Sequence, residues 1–237
     1  MSIIKLLNNK SKRTVFTTPS HGQNPVFSHE YKNFYKDDVS ELDGFDNLSH
    51  PENDILKAQA YVSGVFGTGQ TFFVTQGATT AILAAIKTIV NPDNKVLVAR
   101  NCHKSVFSAL VLSCADVDWF MPEVDEDWGI YTYINTKKLD STLKLNDYKA
   151  FIMTNPTYEG INSNIEEIAN ICRQNNTVLI ADEAHGALYN FSDKLPKTAI
   201  EQGADISVNS LHKTAGALNQ TALLHINKNI FRYNYSD

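Results

Sequence analysis

Thr177-Val178-Leu179-Ile180-Ala181 is an unbroken apolar run that delivers Asp182-Glu183-Ala184-His185 at its carboxyl end. Asp205-Ile206-Ser207-Val208-Asn209-Ser210-Leu211-His212-Lys213-Thr214 repeats the plan with a lysine where the first run has an acid. Short continuous apolar runs bounded by polar residues are strands covered on both faces. Outward from these two, the same pattern predicts strands at 71–75, 95–99, 117–120 and 149–153, and a last one at 221–226. Helix-length segments lie between them at 78–90, 105–113 and 166–175. Alternating strand and helix makes an α/β fold, with a mostly parallel sheet of about seven strands and helices on both faces.

Residues 1–60 are polar and turn-rich, and Thr18-Pro19-Ser20-His21-Gly22-Gln23-Asn24-Pro25 reads as an irregular loop. A helix is predicted over 54–66, stopped by Gly67. The expected organisation is an N-terminal arm and lead-in segment, 1–60, followed by one large domain, 61–237. With 237 residues, 43% of them hydrophobic, the chain can bury one sizeable core. The net charge of −5 is spread without a basic stripe, which argues against a nucleic-acid partner. Cys102, Cys114 and Cys172 lack metal or disulfide spacing and suit a reducing cytoplasm. The apolar start, Ile3 to Leu7, is too short for a signal peptide, and no run reaches the ~20 residues of a membrane span.

In open α/β sheets ligands sit beyond the carboxyl ends of the strands, so those residues carry the chemistry. Gln76-Gly77-Ala78-Thr79-Thr80 opens a helix and offers backbone amides and hydroxyls to an anion, or else is a plain turn with threonine caps. It lacks the Gly-Lys-Ser/Thr of a Walker loop. In Arg100-Asn101-Cys102-His103-Lys104-Ser105, His103 can lie against a planar ring or cap a helix, and Lys104 is a rival nucleophile without a preceding acid pattern. Thr154-Asn155-Pro156-Thr157-Tyr158-Glu159-Gly160 suits either a ligand-lining loop or an ordinary turn. Asp182-Glu183-Ala184-His185 as a helicase motif needs a lysine-bearing phosphate loop and a basic surface, and has neither. A metal set of Glu183, His185 and His212 lacks ligand spacing on one element. The remaining reading joins the two strand ends. Lys213 forms an imine, Asp182 holds a ring nitrogen protonated, and Ser210 and His212 take a phosphate. That is the wiring of a pyridoxal 5'-phosphate (PLP) site. A lysine nucleophile there needs its pKa lowered, by desolvation and a nearby cation.

With these residues in view the chain resembles the bacterial-type Orn/Lys/Arg decarboxylases, PLP-dependent enzymes of fold type I. The matching stretches are Leu42 to Pro51, Thr71 to Thr80, Arg100 to Ser105, Asn155 to Gly160, Asp182 to Ala187 and Ser210 to Thr214, in the family's order. The resemblance implies a Schiff base on Lys213, a ring-nitrogen bond to Asp182, a ring stacked on His103, and His185 near the ring hydroxyl and the substrate. It places Gly77, Ala78, Thr79, Ser210 and His212 around the phosphate, Ala78 through its amide alone. It implies decarboxylation of lysine, ornithine or arginine by a homodimer or higher oligomer. Family members carry Pro-Gly-His-Lys near the start, where this chain has Pro19-Ser20-His21-Gly22. They also continue past the last strand into a small C-terminal domain, whereas this sequence stops at Asp237. An inactive fragment or scaffold, and other PLP chemistry such as transamination or C–S lysis, therefore stay open as alternatives.

Overall fold

The structure is a computed structural model that describes residues 3, 32–41 and 44–230. The loop read at Thr18 to Pro25, with its Pro19-Ser20-His21-Gly22 departure, lies outside the described residues, as do Leu42 and Asp43. The chain divides into two units, residues 1–62 and 63–237, each taken by itself.

In the first unit, helix α1 (Lys32–Asp37) precedes a turn built on Asp46. The Asp46 carboxylate accepts the N–H groups of Asn47, Glu52 and Asn53 at 3.0 Å each and of Ile55 at 2.8 Å. These donors, Glu52 foremost, hold its carboxyl down at about 2. The Ile55 bond satisfies one of the amides left open at the start of helix α2 (Asp54–Phe66). That helix stops as predicted, with Gly67 in the left-handed region at φ +67°.

Nine strands are present among the described residues: β1 (Gln70–Val74), β2 (Lys95–Ala99), β3 (Asp116–Phe120), β4 (Val124–Asp125), β5 (Ile130–Tyr131), β6 (Ala150–Thr154), β7 (Val178–Asp182), β8 (Ile206–Ser210) and β9 (Ala222–Ile226). β4 and β5 form a two-stranded ribbon, and the other seven make one sheet in the order β1-β9-β8-β7-β6-β2-β3. The strands from β3 to β8 run parallel. β9 is antiparallel to both its neighbours, β8 and β1. Its first residue, Ala222, therefore pairs with the last residues of β8 and β1, Ser210 and Val74, at the edge where the parallel strands end.

Helices α3 (Gly77–Ile89) and α4 (Lys104–Ser113) cover one face, where Ile82, Ile86, Val106 and Leu110 pack with Ile152, Ile180, Ile206 and Val208. Leu224 and Ile226 of β9 extend that cluster. Helices α5 (Thr136–Leu143) and α6 (Ile165–Gln174) cover the other face, where Leu139, Leu143, Ile165 and Ile168 pack with Phe151, Met153, Leu179 and Ala181. This second apolar cluster includes no residue of β8, β9 or β1. On those strands the same face carries Ser207, Asn209, His225 and Thr71, all buried.

Several elements depart from the sequence reading, among them α1, β4 and β5, which it does not contain. The apolar pattern gives this strand as Ile206-Ser207-Val208, but β8 continues through Asn209 and Ser210, because β9 pairs with it to the end and Asn209 finds buried hydrogen-bond partners. A helix then begins at once, α7 (Leu211–Thr214), so Lys213 sits on a helical turn rather than on the strand. α5 has no counterpart in the sequence reading: only Leu139 and Leu143 are buried, and Asn135 starts the helix by accepting the N–H of Lys138.

Candidate active site

The end of β7 supplies the acid. Asp182 is its last residue and pairs in register with Thr154 of β6 and Val208 of β8. Its Oδ1 accepts the N–H of Ala184 at 3.2 Å. Burial pushes the carboxyl above the ordinary range, while the Ala184 bond and the electrostatic pull of Lys213, His103 and His185 act the other way. Three residues from three strand ends thus act on one buried acid.

Lys213 is exposed, with Nζ 3.2 Å from His185 Nε2. This corrects the expectation of a desolvated lysine beside a cation. α7 carries Lys213 off the strand to the edge of the sheet, and its neighbour is a base. His185 is held below the usual histidine range by burial and then by Lys213, with Asp182 opposing. A neutral imidazole accepts through Nε2, so the contact is a lysine N–H donated to His185.

His103 is the N-cap of α4: its Nδ1 accepts the N–H of Ser105 at 3.2 Å and lies 2.9 Å from Ser105 Oγ. The capping geometry fixes the plane of an exposed ring. Next to it, burial pushes the Cys102 thiol up to about 11, so it is no nucleophile. Lys104 lies exposed in the first turn of α4, outside the group that acts on Asp182.

The predicted anion cup has a distinct local geometry. Gly77 takes φ +84° as α3 begins, and Gln76, its N-cap, gives no side-chain bond to the first turn. Thr80 Oγ1 bonds back to the Gln76 carbonyl at 3.3 Å, so the threonine-cap alternative does not describe this turn. The N–H groups of the first turn, from Gly77 through Ala78 and Thr79, have no partner within the helix. At the end of β8, the Ser210 hydroxyl is buried with no hydrogen-bond partner among the described residues. His212 Nδ1 lies 3.2 Å from the Thr221 carbonyl, which only accepts, so Nδ1 carries the proton.

Some features are not legible in sequence. Tyr158, 84% exposed, stands edge-on to His185 with ring centroids 5.7 Å apart. The composition of its loop is the available signal, yet the pairing with His185 depends on the fold. Asn155 is spent within that loop, accepting the N–H of Ser163 at 2.7 Å and donating to Asn162 at 3.2 Å. Asn101 Oδ1 and Thr154 Oγ1, at neighbouring strand ends, are buried without partners among the described residues. Glu183 turns away from His185 and His212, toward Ala199 and Asn209, so the three-residue metal set does not assemble.

A lysine and a buried acid at the carboxyl edge of a seven-stranded sheet, beside an open helix start, mark a cofactor-binding α/β architecture. The chain belongs to the Orn/Lys/Arg decarboxylase family, whose major domain matches residues 4–236. It is 36% identical over 217 residues to the uncharacterized protein YaaO of Bacillus subtilis, covering 90% of this chain and 45% of that protein. It is 34% identical over 221 residues to an arginine decarboxylase of Halalkalibacterium halodurans, covering 91% of this chain and 45% of the relative. The lysine decarboxylase LdcF of Francisella novicida superposes with a TM-score of 0.80 at 26% identity, over 95% of this chain and 35% of that structure. The chain therefore spans somewhat under half the length of these relatives. Among the described residues, no helix is long and apolar enough to cross a membrane.

Proposed function

We propose that the chain binds pyridoxal 5'-phosphate on Lys213 and serves the decarboxylation of a basic amino acid: lysine, ornithine or arginine. The observation that carries this reading is the convergence of Lys213, His185 and His103 on the buried Asp182. The residues fit the cofactor. Ser210 Oγ, buried and without a partner among the described residues, would donate to the phosphate together with the first-turn amides of Gly77, Ala78 and Thr79, with His212 alongside. Asp182, raised by burial, would be held ionised by a ring N–H and would keep that ring protonated in return.

His103, its plane fixed by Ser105, would lie on the ring face. His185, neutral and in contact with Lys213, would accept a proton at Nε2 and free the amine to react. When bound, the cofactor supplies the electron sink for the pair left behind as carbon dioxide departs. Family membership supports a basic amino acid as substrate, since two of the three named relatives are an arginine and a lysine decarboxylase. On this reading residues 61–237 form the cofactor-binding domain and 1–60 its N-terminal arm. The working unit is a cytoplasmic homodimer or higher oligomer.

The test separates binding from turnover. The purified chain mixed with PLP should gain a visible absorbance band that Lys213→Ala abolishes. A band that survives the substitution contradicts the assignment of Lys213. Carbon dioxide release is then assayed with lysine, ornithine and arginine in turn. Keto-acid formation in place of carbon dioxide would favour transamination.

A further inference from the structure

Glu183 sits between Asp182 and His185, and its carboxylate reaches neither. The residue is fully buried, and each of its polar groups is engaged. Its N–H donates to the Val208 carbonyl at 3.0 Å, and its own carbonyl accepts the N–H of Gly186 at 2.9 Å and Asn209 Nδ2 at 2.8 Å. Its Oε1 accepts the N–H of Ala199 at 2.7 Å, and its Oε2 accepts Asn209 Nδ2 at 3.2 Å. The side chain thus folds back beneath its own turn. Gly186 makes this possible: a Cβ there would stand 2.5 Å from Glu183 Cγ.

Asn209 is oriented from its far side as well. With Nδ2 donating to Glu183, its Oδ1 must accept His225 Nε2–H at 3.0 Å. His225 Nδ1 then accepts from Thr71 Oγ1 at 2.9 Å, and Thr68 Oγ1 donates to Thr71 at 2.8 Å. The Phe66 ring lies over the imidazole with centroids 4.6 Å apart. Every donor in the chain points the same way, from Thr68 on through Thr71, His225 and Asn209 to Glu183. The chain crosses β1, β9 and β8 and ends under the turn that carries Asp182 and His185. A hydrogen-bonded path with one allowed polarity fixes orientation as well as position.

We propose that Glu183, clamped by Asn209, is a positioning residue that sets Asp182 and His185 relative to Lys213. The inference rests on the cofactor reading for its purpose, but the clamp can be tested without cofactor. Glu183→Gln keeps the volume and an acceptor for Ala199, yet faces Asn209 Nδ2 with an amide nitrogen, which cannot accept, where either protonation state of the carboxyl offers an oxygen. Gly186→Ala displaces the same side chain without changing its charge. His185, which faces Lys213 and Asp182, reports the result through its NMR titration in the cofactor-free chain, assigned with His185→Gln.

If Glu183 positions the turn, both variants move the His185 midpoint toward the ordinary histidine value. Both also weaken PLP binding by about tenfold, the order expected for one unsatisfied buried donor. A folded Glu183→Gln chain with the wild-type His185 midpoint overturns the proposal, whether or not affinity falls. If the wild-type chain fails to bind PLP, the cofactor reading falls while the His185 midpoints still decide the clamp.

Discussion

The two faces of β8 and β9 are built from alternate residues of the same short strands, yet they hold the sheet in different ways. One face presents Ile206, Val208, Leu224 and Ile226 to α3 and α4. The other presents Ser207, Asn209 and His225, and the last two join Thr71 and Glu183 through hydrogen bonds. Apolar contact is non-directional and supplies stability in proportion to area. Hydrogen bonds between buried groups add little net stability, but they demand one register and one orientation, and leaving one unmade is expensive. The directional face is the one that reaches the Asp182–His185 turn. The core on one side keeps the sheet folded, while on the proposed positioning role the network on the other side fixes where the site residues stand.

The largest break in that contrast is Asn209→Leu. It replaces the amide by an apolar group of similar size and leaves Glu183 Oε2 and His225 Nε2–H without partners. At about 1–3 kcal/mol for each of the two unsatisfied groups, the loss should be about 2–6 kcal/mol, read from denaturant unfolding. A loss under about 1 kcal/mol would show that the network carries nothing.

The pH dependence of Glu183 comes next. Burial pushes its carboxyl up to about 8, against the pull of Ala199 and Asn209, from an unfolded value of 4.5. The folded chain therefore binds the extra proton between those values, and this contribution is fully present below pH 4.5 and lost as pH rises through about 8. Relative to Glu183→Gln, wild type should lose at most about 1.4 kcal/mol per pH unit across that window. His225, pushed down to about 4 by burial, acts with the opposite sign, and its contribution lies between about pH 4 and its ordinary value, so the slope above about pH 7 belongs to Glu183. A stability difference that stays flat between pH 4.5 and 8 would refute the raised carboxyl.

Trimming the apolar face should cost less. Ile206→Val removes one buried methylene opposite the network and should cost about 0.5–1.5 kcal/mol while leaving PLP affinity unchanged. A marked fall in affinity would mean that the apolar face positions the site too.

Legibility in the sequence divides along the same line. β2 is legible with its bounds intact because Lys95 to Ala99 is a continuous apolar run after its first residue. β8 reads short because Asn209 and Ser210 look like the start of a loop; only pairing with β9 and the buried network make them strand. Asp182 and Lys213 are legible as candidates because strand ends are the positions to inspect. The Glu183–Asn209 bond is not, since it joins residues 26 apart in a direction set by the fold. The exposure of Lys213 is hidden for a related reason: an apolar strand suggests burial of the residues just beyond it, and the short turn of α7 undoes that.

The smallest expected effect is that of Tyr158→Ala. Tyr158 is largely exposed and touches the site only through the His185 ring, so stability should change by no more than about 0.5 kcal/mol. A larger loss in thermal unfolding would assign Tyr158 to the core support of the loop.

On the proposed function, Lys213 alone of the lysines receives the cofactor. Incubating the chain with PLP, reducing with borohydride and mapping the peptides by mass tests it directly. The added mass should fall on the peptide that contains Lys213. Label on the peptide that contains Lys104, or spread across exposed lysines in proportion to their accessibility, would contradict it.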